Sequence, residues 1–182
     1  MDSATVVLDR DDMRRTLVRI AHEIVEQSPD PARVALVGIH TRGAVLAARL
    51  KAQLDALLAG DVPLGALDIS FYRDDVATRE GHPVVHASDV PFALEGRTVI
   101  VVDDVLYTGR TVRAAIEALF DYGRPDRVQL AVLADRGHRE LPFRPDYVGK
   151  NLPTARDQRV QVRLVELDEV DEVVLLDEPE ES

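Results

Sequence analysis

Hydrophobic and polar positions along the chain follow two rhythms. Met13, Leu17, Ile20 and Ile24 recur at helical spacing within residues 11–27, and "SPDP" follows as a stop. A second helix is predicted over residues 43–60, "GAVLAARLKAQLDALLAG", closed by Gly60. A third begins near Thr111, with Val112, Ala115, Ile116, Leu119 and Phe120 on one face and "YGRPD" at its end. Between these lie apolar runs without helical period: "RVALVGI" (33–39), "LGALDISFY" (64–72), residues 98–102 and "RVQLAVLAD" (127–135). Continuous apolar strands alternating with amphipathic helices predict an α/β protein with a mainly parallel sheet. The stretch 73–91 is long, polar and patternless, and no linker divides the chain, so one domain over residues 1–182 is expected.

Composition narrows the classes. The hydrophobic fraction of 46% and charged fraction of 30% suit a soluble globular protein. With no Cys, neither a disulfide framework nor a thiolate metal site is available. The start of the chain lacks a basic-then-apolar signal pattern and no apolar run approaches a membrane span, so a cytoplasmic protein without membrane contact is expected. The net charge of −11 is unevenly spread: residues 164–182 carry nine acids and no base, leaving 24 acids against 22 bases elsewhere. An acidic C-terminal tail on a nearly neutral body is expected. Twenty of the bases are Arg, a residue suited to multidentate contacts with phosphate.

The most informative stretch is "VIVVDDVLYTGRT", Val99 to Thr111. Its apolar strand runs into two adjacent carboxylates, which repel each other unless something cationic or hydroxyl-rich faces them. Thr108, Gly109 and Thr111, just ahead of a helix, offer amides and hydroxyls to an anion. Asp103 and Asp104 can accept hydrogen bonds from vicinal hydroxyls or support a metal through water. A phosphate at one end and a diol at the other describe a ribose phosphate. The plainer reading is a solvated turn capped by Thr. Neither G-x-x-x-x-G-K-[ST] nor G-x-G-x-x-G occurs, and "HEIVE" misses H-E-x-x-H at its last position.

The Asp-Asp and Tyr-Thr-Gly-Arg-Thr arrangement resembles the PRPP signature of type I phosphoribosyltransferases. Together with "LVGIHTRG", "DISFYRDD", "MRRTLVRIAHEI" and "LAVLADRGHRELPFRPDYVGKNLPT", it resembles the PyrR family along nearly the whole chain. That family comprises pyrimidine operon regulators with uracil phosphoribosyltransferase activity. The resemblance implies a type I phosphoribosyltransferase fold: a central sheet flanked by helices, with a small hood. It further implies PRPP, uracil and UMP as ligands, Mg²⁺ as cofactor, and a homodimer or higher homo-oligomer. Asp103 and Asp104 would hold the ribose hydroxyls and, through water or PRPP, the metal. Tyr107, Thr108, Gly109, Arg110 and Thr111 would cradle the 5′-phosphate, with Val105 and Leu106 also in the PRPP-binding stretch. Thr41, Arg42 and Gly43 belong to the implied diphosphate loop, with Arg42 facing the diphosphate alongside Asp103 and Asp104 in catalysis. Arg73 would add a diphosphate contact from a loop (73–91) that closes over PRPP. Arg136, Gly137 and Val160 would lie in the hood over uracil. Such loops often hold a non-proline cis peptide, expected here between Ile39 and Arg42.

Several residues admit plainer readings: Arg42 as a partner of surface carboxylates, Tyr72 as the last core residue of its strand, His82 and His86 as exposed loop residues, and Asp135–Arg136 as a local ion pair. Tyr107 stands where many purine phosphoribosyltransferases carry an acid, which favours a pyrimidine base and leaves no general base assigned. A second function class is an RNA-binding regulator. Arg15, Arg19 and His22 share one face of the first helix, and Arg144 and Lys150 lie in a second basic cluster with Arg156 and Arg159. Pyrimidine operon leader RNA is the partner that the resemblance implies. Against it stand the acidic tail and Val18, where RNA-binding relatives often carry a hydroxyl. A purely metabolic uracil phosphoribosyltransferase is the alternative.

Overall fold

The computed structural model describes residues 3–72 and 87–177. Five parallel strands form its centre in the order β3–β2–β4–β5–β6: β2 (Val34–Ile39), β3 (Leu64–Leu67), β4 (Thr98–Leu106), β5 (Arg127–Asp135) and β6 (Tyr147–Asn151). Alternate residues along β2 and β4 face opposite sides, and both sides are covered. Val34, Leu36, Ile100 and Val102 join the core beneath α1 (Arg10–Gln27) and α2 (Arg42–Leu58). Ala35, Val37, Val99 and Val101 join the core beneath α3 (Arg110–Phe120). Double burial explains why these strands read as unbroken apolar runs. Among the described residues, no helix is long and apolar enough to cross a membrane.

The helices follow their apolar stripes. Met13, Leu17, Ile20 and Ile24 are all buried on α1, whose start is fixed by a reciprocal pair of hydrogen bonds between Asp9 and Asp12. On α3, Val112, Ala115 and Leu119 are buried, whereas Phe120, expected on the same face, is 53% exposed at the helix end.

Two strands differ from expectation for local reasons. β3 stops at Leu67 because Asp68 accepts the Ser70 N–H on Oδ1 (2.8 Å), turning the chain out of the sheet. β4 continues past Val102 to Leu106 because β5 keeps pairing with it, opposing Asp103 to Val132, Val105 to Ala134 and Leu106 to Asp135. The acidic pair is thus built into the strand rather than carried on a loop.

The acidic C-terminal stretch is not a tail over its described length. Residues 164–177 form the single-turn helix α4 (Val165–Asp168) and the strand β8 (Glu172–Asp177). β8 pairs antiparallel with β1 (Ala4–Leu8) on one side and β7 (Gln158–Arg163) on the other, making a small second sheet from the two ends of the chain. Its carboxylates have partners on α2: Arg49 binds Glu166 and Asp171 (both 2.7 Å), and Arg42 binds Asp168 (2.8 Å). Arg73, His82, His86 and most of the expected closing loop lie outside the described residues.

Candidate active site

Two glycines allow the turn between β2 and α2 to lie close against β4. A Cβ on Gly43 would lie 2.4 Å from the Val102 carbonyl oxygen, and one on Gly38 would lie 2.4 Å from Ala44 Cα. Only hydrogen fits at either place. The peptide between His40 and Thr41 is cis, within the segment where one was expected. The first turn of α2 therefore lies directly beside the end of β4 and its acidic pair.

Asp103 is buried and Asp104 half-buried. Asp103 Oδ1 accepts the Asp104 N–H (2.9 Å), and Asp104 Oδ1 accepts the Val105 N–H (2.8 Å). These bonds orient both carboxylates. Immediately beyond, a cavity of about 400 Å³ is lined by Asp103, Val105 to Val112 and Glu140. Gly109, at φ 94°, turns the chain into α3, and Thr108 Oγ1 accepts the Arg110 N–H (3.2 Å). The cavity thus collects a helix N-terminus, two Thr hydroxyls and two carboxylates, Asp103 and Glu140, a set that includes the donors and acceptors a sugar phosphate requires.

The segment after β5 braces this loop, a role its sequence did not suggest. Thr108 O accepts the N–H groups of Glu140 (2.9 Å) and Leu141 (3.0 Å). Arg139 donates to Tyr107 O (2.9 Å), Phe143 O (2.9 Å) and Asp135 Oδ2 (2.6 Å). Asp135 therefore pairs with Arg139, not with Arg136. Burial alone would raise the Asp135 carboxyl; Arg139 and the Gly137 N–H (3.0 Å) outweigh it and hold the carboxyl below its ordinary value.

Arg136 turns the other way. Its guanidinium stacks 4.0 Å from the centroid of the Tyr107 ring and donates to Gln158 O on β7 (2.6 Å). Its Nε is buried without a partner among the described residues. Next to it Gly137 has φ 80°, and a Cβ there would meet nothing within 4 Å, so the chain borders open space. His138 Nε2 is 2.6 Å from Thr154 O, and Thr154 Oγ1 donates to Arg136 O (3.0 Å), closing the bracket. Val160, on β7, packs into the main core. Arg42 is likewise engaged with the second sheet: Nε donates to Val162 O (2.9 Å) and Nη2 to Asp168. Tyr72, half-buried, donates to Asp121.

The phosphoribosyl transferase domain family matches residues 5–169. Among curated relatives, the bifunctional protein PyrR of Roseiflexus is 60% identical over 89% of this chain and 88% of its own. That of Deinococcus radiodurans is 56% identical, covering 94% and 93%, and that of Listeria monocytogenes strain HCC23 is 49% identical, covering 99% and 100%. The chain belongs to the PyrR family. Solved hypoxanthine phosphoribosyltransferases share its fold at low identity. That of Trypanosoma cruzi superimposes with a TM-score of 0.69 at 21% identity, covering 96% of this chain and 97% of its own. The Bacillus anthracis hypoxanthine-guanine enzyme gives 0.70 at 17%, covering 93% and 95%. The parallel sheet with its small second sheet is thus the type I phosphoribosyltransferase fold.

The basic residues of α1 also have defined surroundings. Arg19 donates to Glu23 (2.7 Å) and to the carbonyls of Val148 (3.3 Å) and Gly149 (2.6 Å), which places it against β6. Lys150, on β6, donates to Val7 O (3.4 Å), and Arg15 pairs with Asp12. Arg144 and His22 are exposed.

Proposed function

We propose that this member of the PyrR family senses uridine nucleotides, binds pyrimidine operon leader RNA to promote transcription attenuation, and converts uracil and PRPP to UMP and diphosphate. The observation that carries the nucleotide half is the cavity at the start of α3, with Asp103 at one end and the Thr108–Thr111 loop at the other. In this reading the loop holds the 5′-phosphate, and Asp103 and Asp104 accept hydrogen bonds from the ribose hydroxyls. The first turn of α2 presents amides to the diphosphate. The open space beside Gly137 takes the base. Tyr107 offers no carboxylate to a purine ring nitrogen, which favours uracil.

The transfer builds positive charge at the anomeric carbon as the bond to diphosphate breaks, so holding uracil and ribose in line supplies much of the rate. Two carboxylates beside the ribose also stabilise that charge. Among the described residues, no cluster of three or more His, Asp or Glu gathers to hold a metal. The donor set of Asp103 and Asp104 suits an ion that arrives with its substrate, held through water and PRPP oxygens. Asp103 and Asp104 would hold Mg²⁺ there, and the ion would supply charge neutralisation for the leaving diphosphate.

For RNA, the supporting observation is that α1 lies on β6, which joins Arg19 to the strand carrying Lys150, with Arg144 just ahead of it. The homo-oligomer belongs to the same proposal. Turnover of uracil against hypoxanthine, with PRPP and Mg²⁺, tests the enzymatic half. UMP formation well above any purine product is expected; comparable turnover of hypoxanthine overturns the pyrimidine assignment.

A further inference from the structure

An acid stands at the mouth of the anion cavity. Glu140 lines it with Thr108, Gly109, Arg110 and Thr111. Its own N–H and that of Leu141 both donate to Thr108 O, so the residue is fixed directly over the phosphate loop. Its Oε1 accepts from Arg110 Nε (3.1 Å), and its side chain is 55% exposed, which sets the carboxylate at the rim rather than on the floor. A carboxylate is an unexpected neighbour for a phosphate. The amides and hydroxyls below attract an anion, while Glu140 repels negative charge extending past them and occupies one Arg110 donor.

We infer that Glu140 is a specificity-determining residue that makes the cradle favour a nucleoside 5′-monophosphate over a 5′-triphosphate. The inference rests on reading Tyr107 to Thr111 as the 5′-phosphate cradle. A monophosphate ends within the loop, where donors surround it. The second and third phosphates of a triphosphate continue towards solvent and meet the rim where Glu140 stands. Like charges a few ångströms apart lie well inside the screening length of about 8 Å at physiological salt, so the repulsion is felt. Glu140→Gln isolates this charge: the side-chain carbonyl still accepts from Arg110, and the backbone bonds to Thr108 are untouched.

The test is calorimetric titration of the full chain with UMP and with UTP, in metal-free buffer at low and high salt. In Glu140→Gln both ligands tighten, UTP more, so the UTP-to-UMP affinity ratio rises by about tenfold at low salt and by less at high salt, because screening weakens the lost repulsion. Glu140→Asp, which keeps the charge, stays near the wild-type ratio. A ratio unchanged in Glu140→Gln overturns the assignment, as does a rise that is equal at both salts, which would make the effect steric. Wild-type protein that fails to bind UMP overturns the cradle reading itself, a result distinct from an unchanged ratio in protein that does bind UMP.

Discussion

Replacing Gly43 by Ala probes how closely the turn between β2 and α2 is seated on β4. The added methyl would stand 2.4 Å from the Val102 carbonyl oxygen and 3.1 Å from Asp103 Cα, both backbone atoms. Ordinary contact begins near 3.4 Å, so the first turn of α2 and β4 must separate by about 1 Å. Val102 cannot retreat freely, because β4 is paired with β2 on one side and β5 on the other. Two effects oppose. Alanine favours a helix over glycine by up to about 1 kcal/mol, whereas overpacking costs about 1–3 kcal/mol and more against backbone. The clash wins, and thermal melts are expected to fall by about 2–8 °C, at roughly 2–4 °C per kcal/mol for a chain of this size. Turnover suffers more, because displacing a positioning element by 1 Å can cost about 100-fold. Melting curves and steady-state rates with PRPP and uracil read both effects. A variant that melts and turns over like the wild type refutes the close seating of the loop.

Three further outcomes are expected. Arg49→Met leaves Glu166 and Asp171 without their cation; since Glu166 is 44% exposed, the loss is about 1–3 kcal/mol, below that for a fully buried pair. Burial raises the Asp171 carboxyl, but Arg49 and the Val165 N–H outweigh it, so its folded value lies below the unfolded one of about 3.9. That contribution is complete above the unfolded value and lost as pH falls through the folded one, so urea melts should show the wild-type advantage shrinking below about pH 4; an equal gap at neutral and acid pH refutes this. Asp104→Asn keeps the shape at the proposed ribose site and removes charge, so PRPP affinity and turnover should fall while the melting temperature holds or rises; full activity would reduce the pair to a strand end. Arg144→Gln with Lys150→Gln should weaken leader-RNA binding and lower its salt slope by about one phosphate contact each, and an unchanged slope would leave that cluster a solvated surface.

The alternation of helix and strand was legible because the central strands are buried on both faces and the helices on one, so burial wrote a period into the sequence. The cavity lining was legible for a different reason: Asp103 and residues 105–112 are contiguous along the end of β4 and the start of α3, so one stretch of sequence holds nearly all of it. The second sheet was not legible. β1 and β8 pair across almost the whole chain, opposing Ala4 to Leu176, and no local pattern reports such a pairing. Its acids looked like a tail because their cations, Arg42 and Arg49, lie more than 100 residues earlier. Arg139 was missed because its value comes from three acceptors on separate segments, two of them backbone carbonyls that carry no sequence signal. Arg42 shows the converse: its loop was found, but its guanidinium faces Val162 on β7 and Asp168 on α4.

The central claim is that one protein joins nucleotide sensing to RNA recognition, and linkage between the two ligands tests it most directly. The measurement is the affinity of the full chain for its pyrimidine operon leader RNA, by gel shift at fixed salt, with and without saturating UMP. Tighter RNA binding is expected with UMP, and by reciprocity tighter UMP binding with RNA. RNA affinity that is undetectable, or identical with and without UMP, would contradict it.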